Sequence, residues 1–510
     1  MPSLACQTAR FGRNPVNLAR AIAEVARQRP SAPALISSSG RVLSCAALEA
    51  AVGRLAAYLA LRGIERGDPV GIAMSTSPLH LLTILALARL GAVSLSIPPG
   101  QSAASTIVHA RRHGLTRMIG HQAGRIPEGL PSLLIDRGWQ GAVAEPAPVA
   151  EVAREAAWRI ALSSGTTGKM KATVYTHGET LEYARLSAGV TPGGAGPGTR
   201  LLCFMGLGAG FTLRPSLRHL LFGGAVCFAR SSTPEAMVHA LRKSRVTHAV
   251  ASPALLRSVC ELLGEGKAPF ADLRHLAVGG AALSPSLIAQ AQARITPHLY
   301  SHYGASEAGL VALAGPELLR RRPACAGRLM PWIEAEVVDA AGRALPPGAQ
   351  GELRFRGPGV ATSFLEDPEA SARSFRDGWF HPGDTGRIDA NRLLFIEGRT
   401  DERINLNGKK LDPRTIEWAL EQHPQVIEAA AFVAPGAGQA EVLCAAVVLR
   451  RSLKTAALLE HCRRILGQNA PVRYLAARKL PRNPNGKLLR RELARVLLRR
   501  LPAMRANAAN

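Results

Sequence analysis

The chain alternates short, β-branched apolar segments with longer segments rich in alanine and leucine. The longer segments, such as "LARAIAEVARQ" and "PEAMVHALRKS", have the apolar spacing of amphipathic helices. The short ones have the length and residue types of buried strands; they are "PVGIAM", "AVSLSI", "RIALSS", "AVCFA", "THAVAS" and "HLAVGG". Such alternation predicts an α/β fold in which helices cover parallel sheets.

The most apolar segment, residues 81–97, is interrupted by Arg89 and Gly91. We therefore expect a buried helix that runs into a strand, and no transmembrane segment. Residues 1–14 lack the apolar core and cleavage site of a secretory signal. A cytoplasmic location is the expectation.

The pattern changes along the last third of the chain. From about residue 327, strand-like pieces alternate with the turn signals "DAAGR" and "PPG", which predicts a β-rich subdomain over about 327–398. Residues 399–510 return to a βα pattern without a low-complexity linker before them. We expect an N-terminal domain over 1–398 and a small α+β domain over 399–510 that sits on a short hinge; a chain of 510 residues usually forms more than one domain.

The charge is strongly basic, with 63 Lys and Arg against 37 Asp and Glu and a formal net charge of +26. The basic residues are spread along the chain without the interleaved aromatic residues of a single-strand binder. Polyanionic ligands explain the charge more simply than nucleic acid, so we expect no nucleic-acid partner. The eight cysteines lie far apart and include no CxxC pair, which argues against a structural zinc site.

One segment has the composition of a phosphate-binding loop: "SSGTTGKMKATVYTH", residues 163–177. Glycines let consecutive backbone N–H groups converge on phosphate oxygens, while hydroxyls and lysines add donors and charge. It is not the P-loop of NTPases, which would need glycine at Ser163 and a hydroxyl at Met170. Taken alone, an ordinary Gly/Ser/Thr turn remains an alternative.

Five further motifs follow this loop. They are "YGASEAG" (303–309), "GELRFRGPGVATSFLEDPEAS" (351–371), "DGWFHPGDTG" (377–386), "GRTDERINLNGKKLDPRTIE" (398–417) and "PRNPNGKLLRREL" (481–493). In this order they resemble the adenylate-forming superfamily: acyl-CoA synthetases, adenylation domains of peptide synthetases, and luciferases. The resemblance covers nearly the whole chain. It implies a large N-terminal AMP-binding domain of helix-covered mixed sheets with a β-rich subdomain, followed by a small mobile α+β domain.

The resemblance also implies a reaction. Members join a carboxylic acid to AMP with release of pyrophosphate, and then pass the acyl group to a thiol, using ATP, Mg²⁺ and, in many cases, CoA. Both reactants are anions, so positive charge must stabilise the transition state. Lys487 matches the catalytic lysine, and Glu307 matches a catalytic carboxylate that binds the metal. Asp401 lies at the position of the hinge, about which the small domain would rotate to withdraw Lys487.

The other matched positions bind the nucleotide. Those expected to bind the phosphates of ATP are Ser163, Ser164, Gly165, Thr166, Thr167, Gly168, Lys169, Lys171 and Ser306. Those expected to bind the AMP part are Gly280, Ala281, Ala282, Tyr303, Gly304, Asp384 and Arg399. By resemblance Tyr303 stacks on adenine, and Asp384 and Arg399 bind the ribose. Core packing for Tyr303 and turn capping or surface pairing for the other two are the alternatives.

The resemblance also implies an acyl pocket within residues 203–217, formed by Met205, Gly208, Ala209 and Phe211. No acidic residue occurs between Glu182 and Glu235 to pair an α-ammonium group, so an amino acid substrate is disfavoured. We expect an apolar acid, fatty or aromatic. The small residues at 208 and 209 indicate either an open pocket or close helix packing.

Two possible thiol acceptors and one non-catalytic alternative remain open from the sequence. The thiol acceptor is CoA or the phosphopantetheine arm of a separate carrier protein. A non-catalytic basic scaffold is the third possibility, and the presence of Glu307, Asp384, Arg399 and Lys487 argues against it. Met170 and Ala172 stand where the family usually has proline and glycine, but Lys169 and Lys171 keep the charge of the loop.

Overall fold

The computed structural model describes residues 16–97, 101–122, 126–164, 170–265, 270–400, 402, 404–406, 409–435, 441–482, 488–490 and 492–493. Within these described residues the fold is mixed α/β, as predicted. None of the helices in the described ranges is both long and apolar enough to cross a membrane.

Several helices begin at a residue whose side chain caps the first turn. The side chains of Ser77, Thr233, Ser252 and Ser284 each accept a backbone N–H, and proline follows at the next position. This pairing fixes the helix start, because the hydroxyl takes an orphan donor and proline needs none. The helices are α1 (Leu18–Gln28), α2 (Cys45–Ala60), α3 (Pro78–Leu90), α4 (Ala103–Arg112), α5 (His177–Gly189), α6 (Gly210–Leu221), α7 (Pro234–Lys243), α8 (Pro253–Leu263), α9 (Pro285–Arg294), α10 (Pro316–Arg321), α11 (Pro368–Ser374), α12 (Pro413–Glu421) and α13 (Thr455–Leu466).

The strands of the first half are short and mostly buried. They are β1 (Pro33–Ile36), β2 (Val42–Ser44), β3 (Pro69–Ala73), β4 (Val93–Ser96), β5 (Arg117–Gly120), β6 (Ser132–Leu134), β7 (Ala157–Ser164), β8 (Met170–Thr176), β9 (Arg200–Cys203), β10 (Ala225–Phe228), β11 (His248–Ala251), β12 (His275–Gly279) and β13 (Leu299–Ala305). All six apolar segments predicted as strands are strands. The apolar segment 81–97 is part of a buried helix, α3, followed by strand β4.

The remaining strands are mainly antiparallel. They are β14 (Gly309–Ala314), β15 (Cys325–Leu329), β16 (Glu334–Val338), β17 (Gly351–Arg356), β18 (Phe375–Arg376), β19 (Trp379–Phe380), β20 (Asp384–Ile388), β21 (Leu393–Arg399), β22 (Ile404–Leu406), β23 (Lys409–Leu411), β24 (Val426–Pro435), β25 (Glu441–Leu449) and β26 (Arg473–Ala476). The predicted turn signals connect β16 to β17, which pair antiparallel with Glu334 opposite Arg356.

Two large sheets organise residues 16–400. The first has the order β6-β5-β3-β4-β7-β8 and is parallel except for the β7–β8 pair. The second has the order β18-β19-β17-β20-β21-β15-β14-β13-β12-β11-β9-β10-β1-β2, with β16 paired to β17. Its pairs from β1–β10 to β12–β13 are parallel and its pairs from β13–β14 to β18–β19 are antiparallel. The β-rich segment thus extends an existing sheet at its edge.

The last part of the chain has its own small sheet. β24, β25 and β26 pair in that order, and α12 and α13 pack with them around a separate apolar core. Glu428 on β24 connects this part to the preceding part of the chain, because its Oε1 lies 2.7 Å from an Arg257 nitrogen on α8. The same oxygen also accepts from Arg482, within the last part of the chain, at 2.8 Å.

Candidate active site

A sharp turn between β13 and β14 carries Glu307. The Ser163 hydroxyl at the end of β7 donates to Glu307 Oε1 at 2.7 Å, and the Ala361 amide donates to the Glu307 carbonyl at 2.7 Å. Glu307 is only 8% exposed. A Cβ on Gly304 would lie 1.9 Å from the Gly309 carbonyl oxygen, so the close approach of the two strands requires glycine there.

The predicted phosphate loop lies between β7 and β8 in the sequence. These strands pair antiparallel, with Ser163 opposite Lys171. The Lys171 ammonium lies 4.5 Å from the ring centroid of Phe364, in the segment before α11. The structure therefore brings Ser163 to Glu307 and places the Lys171 charge against Phe364.

Several predicted site residues cannot be placed. The positions that lie outside the described residues are Gly165, Thr166, Thr167, Gly168, Lys169, Asp401 and Lys487, and Ser164 is described in its backbone only.

Three residues predicted to bind AMP form one hydrogen-bonded unit. The Tyr303 hydroxyl donates to Asp384 Oδ2 at 2.5 Å, and Arg399 Nη1 donates to Asp384 Oδ1 at 2.7 Å. Asp384 and Arg399 are register partners on β20 and β21. Burial first, and then the Asp384 carboxylate, raises the pKa of Tyr303 well above its ordinary value, so the hydroxyl stays protonated and donates. Tyr303 and Glu307 thus lie four residues apart near the end of β13. Tyr303 contacts the residues predicted to bind ribose, and Glu307 contacts a residue predicted to bind phosphate.

The segment Gly280–Ala282 lies where β12 ends, exposed to solvent, with Gly280 at φ 88°. Just before it, a Cβ on Gly279 would lie 3.1 Å from the Phe211 ring. The Phe211 ring also meets His302 edge-on, with centroids 6.0 Å apart. The predicted acyl residue Phe211 therefore lies beside the predicted AMP segment.

The other residues predicted to form the acyl pocket precede or begin α6. Ala209 is its N-cap residue, and Met205 packs against the core beneath the parallel strands. A Cβ on Gly208 would lie 3.7 Å from the Ser96 Cβ, which is ordinary van der Waals contact. Close packing therefore does not require glycine at 208.

A buried arginine, which sequence reasoning missed, supports this segment. Arg159 on β7 donates to the hydroxyls of Ser94 and Ser96 and to the Leu207 carbonyl, at 3.2, 3.0 and 3.0 Å. It is 1% exposed, and burial lowers its pKa to about 10, so it is still charged at neutral pH. The one signal in the sequence was a charged residue inside an otherwise apolar strand.

A second missed arginine, Arg214, lies on α6. Its guanidinium carbon is 4.5 Å from the ring centroids of both Tyr175 and Tyr183. These three residues line a pocket together with Trp158 and Gly359. The sequence offered little signal, because the same helix also contains Arg218 and His219.

A row of four histidines, three of them buried and the fourth half-buried, runs behind the site. His219 on α6 is followed by His248, His275 and His302 on β11, β12 and β13, with successive ring centroids 4.9, 5.5 and 5.4 Å apart. Burial is the main cause that lowers the pKa of each, to about 4 for His248 and about 3 for His302. The row is therefore neutral at physiological pH and ends at Phe211.

Comparison with known proteins identifies the family. The model "AMP-binding enzyme" matches residues 22–365, and "AMP-binding enzyme C-terminal domain" matches residues 415–487. The chain belongs to the AMP-binding enzymes. The predicted superfamily and the predicted class, an AMP-forming ligase of the acyl-CoA-synthetase type, are thus confirmed.

Individual relatives match along most of their length. The fatty acid–[acyl-carrier-protein] ligase ScoC of Streptomyces coeruleorubidus is 27% identical over 496 residues, which covers 92% of this chain and 94% of that protein. A 4-chlorobenzoate–CoA ligase of Arthrobacter is 27% identical over 503 residues and covers 93% and 94%. The fold is similar to that of o-succinylbenzoate CoA synthetase (MenE) of Bacillus subtilis in complex with the acyl-adenylate OSB-AMP. The TM-score is 0.82 at 23% identity, covering 94% of this chain and 98% of that one. The predicted fold class is confirmed.

Proposed function

We propose that this AMP-binding enzyme activates an apolar carboxylic acid, fatty or aromatic, with ATP. The products would be an acyl-adenylate and pyrophosphate, and the acyl group would then pass to the thiol of CoA. The supporting observation is the segment from Tyr303 to Glu307, because its two ends contact Asp384 and Ser163, respectively. This five-residue segment thereby links Asp384, the predicted ribose ligand, to Ser163, a predicted phosphate ligand from a distant motif.

Mg²⁺ fits the phosphate end. The Glu307 carboxylate and the Ser163 hydroxyl are adjacent hard oxygen donors in a largely buried position, which suits this cation. A bound Mg²⁺ would supply charge neutralisation for the phosphates of ATP. Glu307 would hold the metal, and Ser163 would orient the carboxylate. Ser306, next to Glu307, would contact the phosphates.

At the ribose end of the site, neighbouring side chains hold the expected acceptor, Asp384, in place. We infer that Asp384 accepts hydrogen bonds from the ribose hydroxyls, since an ionised carboxylate is an acceptor that can take several hydrogen bonds at once. The Tyr303 hydroxyl would hold Asp384 while its ring packs on adenine. The exposed Gly280–Ala282 segment would then border the purine and the acyl group.

The acid is expected to be apolar because no acidic residue lies between Glu182 and Glu235. A buried ammonium group without a partner would cost several kcal/mol, roughly the water-to-interior penalty of an unpaired polar group. Two relatives named above act, by their names, on a fatty acid and on an aromatic acid. Both classes fit a pocket bordered by Phe211 and Met205.

The thiol step requires the small domain. We propose that residues 399–510 rotate about Asp401, so that Lys487 serves adenylation and is withdrawn for thioester formation. CoA is the proposed acceptor. A carrier protein is the second candidate, because ScoC is named for transfer to one.

The test is pyrophosphate release over a panel of fatty, aryl and amino acids with MgATP, repeated with CoA and with a phosphopantetheinylated carrier protein. We expect release only with fatty or aryl acids, and formation of the acyl-CoA. A Glu307→Gln protein serves as the inactive control. ADP as product, or preferential use of an α-amino acid, would contradict the proposal.

A further inference from the structure

Arg214 is enclosed by two tyrosines. Its guanidinium carbon lies 4.5 Å from each ring centroid, with Tyr175 on β8 and Tyr183 on α5. Burial alone would lower the pKa of Arg214, but the two tyrosines together raise it above its ordinary value. The group is therefore a permanent cation between two aromatic faces, an arrangement that is strengthened by exclusion of water.

The same two tyrosines hold the turn that carries Glu307. The Tyr175 hydroxyl donates to the Ser306 carbonyl at 2.9 Å, and the Leu310 amide donates to the Tyr183 hydroxyl at 2.9 Å. These hydrogen bonds fall on either side of Glu307 along the chain. The turn is thus fastened at both ends to side chains that Arg214 contacts.

Arg214 itself also lies against the turn. A Cβ on Gly309, where φ is 65°, would lie 2.2 Å from Arg214 Nη1 and 2.9 Å from the Tyr183 ring. Glycine lets the turn approach the guanidinium this closely. The turn therefore packs directly against the guanidinium and the Tyr183 ring.

We propose that Tyr175, Arg214 and Tyr183 form a clamp that positions the Glu307 carboxylate for Mg²⁺. Arg214 is a positioning residue here, because it acts through the tyrosines and the turn. The inference rests on the proposed function, in which Glu307 holds the metal. A carboxylate misplaced by about 1 Å can cost about 10²-fold in rate, so small losses of order at the clamp should be measurable.

The experiment measures how much Mg²⁺ improves ATP binding. Calorimetry on the full chain gives the dissociation constant of ATP with and without Mg²⁺, and pyrophosphate release gives the Mg²⁺ concentration for half-maximal rate. In Arg214→Met we expect the Mg²⁺-dependent gain in affinity to fall about tenfold and the half-maximal Mg²⁺ concentration to rise by a similar factor. Affinity for AMP without metal should stay within about twofold. Arg214→Lys should restore part of the gain, because it keeps the cation.

Two other variants make the test specific. Tyr183→Phe removes the acceptor of the Leu310 amide and keeps the ring, so it should lower the Mg²⁺-dependent gain and also serves if Arg214→Met does not fold. Arg62→Met is the matched control: its guanidinium carbon lies 3.4 Å from the Tyr58 ring centroid, outside the site, and its loss should leave both readouts unchanged.

The measurements distinguish a failure of the proposed metal role of Glu307 from a failure of the clamp. If Glu307→Gln leaves the Mg²⁺ dependence of the wild type unchanged, the proposed metal role of Glu307 fails. If Glu307→Gln abolishes that dependence but folded Arg214→Met and Tyr183→Phe retain it, only the clamp is overturned. A change confined to the KM for the acid in Arg214→Met would also overturn the clamp, because it would make Arg214 a substrate contact.

Discussion

The Ser163 hydroxyl donates a 2.7 Å hydrogen bond to Glu307 across 144 residues of sequence. The two residues belong to separate motifs. Ser163 lies at the end of β7 in the first large sheet, and Glu307 lies in the turn that follows β13 in the second. The bond therefore joins the two sheets at the point where phosphate and metal ligands are expected. Since Ser163 is the donor, the Glu307 carboxylate keeps its second oxygen for another partner.

Glu307→Gln should remove the metal function and keep the fold. The amide oxygen can still accept from Ser163, but a neutral side chain is a weaker Mg²⁺ ligand than a carboxylate. We expect pyrophosphate release to fall by about 10²–10³-fold, the scale of losing one preorganised electrostatic contact. Activity across a range of Mg²⁺ concentrations, together with the melting temperature, checks this. Wild-type activity in Glu307→Gln would rule out the role, and Ser163→Ala should show a smaller loss.

Asp384→Asn should weaken ATP, AMP and the acyl-adenylate together, because all three carry the ribose. Hydrogen bonds to a charged group contribute about 1.5–3 kcal/mol each, so a loss of about ten- to a hundredfold in affinity is expected. Calorimetric titration with AMP and with ATP measures it. Tyr303→Phe keeps the Asp384–Arg399 pair and should lose less. Weaker binding of ATP alone, with AMP unaffected, would contradict the ribose assignment.

His177 should make the fold acid-sensitive. Its Nδ1 accepts the Leu18 amide at 3.1 Å, and it is 0% exposed; burial lowers its pKa to about 4. The unfolded chain takes up this proton near the ordinary pKa of about 6.5, but the folded chain does not. The free energy of unfolding should therefore fall by up to about 1.4 kcal/mol per pH unit as the pH drops from about 6.5 towards 4.

His177→Asn tests this directly. The asparagine oxygen can still accept the Leu18 amide, but it does not titrate. Urea unfolding at pH 7.5, 6.0 and 5.0 should show a shallower pH dependence in the variant, by up to about 1.4 kcal/mol per pH unit. Equal slopes in the two proteins would show that His177 is not the group responsible. The other buried histidines, such as His248, should leave a residual slope in both.

The sequence predicted the secondary structure around the site well, for local reasons. Strands such as β12 are short apolar runs, and the predicted helix α7 begins at a threonine followed by proline, so each is specified within a few residues. The motif residues Tyr303 and Glu307 were visible by resemblance to the family motif "YGASEAG". The structure adds the reason for its glycine, because a Cβ on Gly304 would collide with the Gly309 carbonyl oxygen.

What the sequence did not predict depends on the packing of distant elements. Nothing in the sequence singled out Arg214 in a helix that also contains Arg218, and only the meeting of β8, α5 and α6 places it between Tyr175 and Tyr183. The histidine row depends in the same way on the register of three strands, with His248 opposite His275. Likewise, the contact of Lys171 with Phe364 joins residues almost two hundred positions apart.

Lys487→Ala should separate the two half-reactions. Its expected role comes from the motif "PRNPNGKLLRREL", in which a lysine stabilises the charge that develops as the carboxylate attacks the α-phosphorus. Adenylate formation should slow by about 10²–10³-fold. Transfer from a supplied acyl-adenylate to CoA should change little, because the thiol attacks the acyl carbon with AMP as the leaving group, and in this proposal Lys487 has been withdrawn before that step. Single-turnover rates of each half-reaction, measured on the same preparation, give the ratio.

The matched control for that ratio is Asp384→Asn, in which the adenylate and ATP lose the same ribose contact, so both half-reactions should weaken together. A lysine that serves only adenylation predicts a divergence in Lys487→Ala and none in Asp384→Asn. If Lys487→Ala slows both steps equally while its melting temperature is unchanged, the lysine is needed throughout. Rotation of residues 399–510 about Asp401 would then not serve to remove it from the site, and the small domain would have to act in thioester formation by another route.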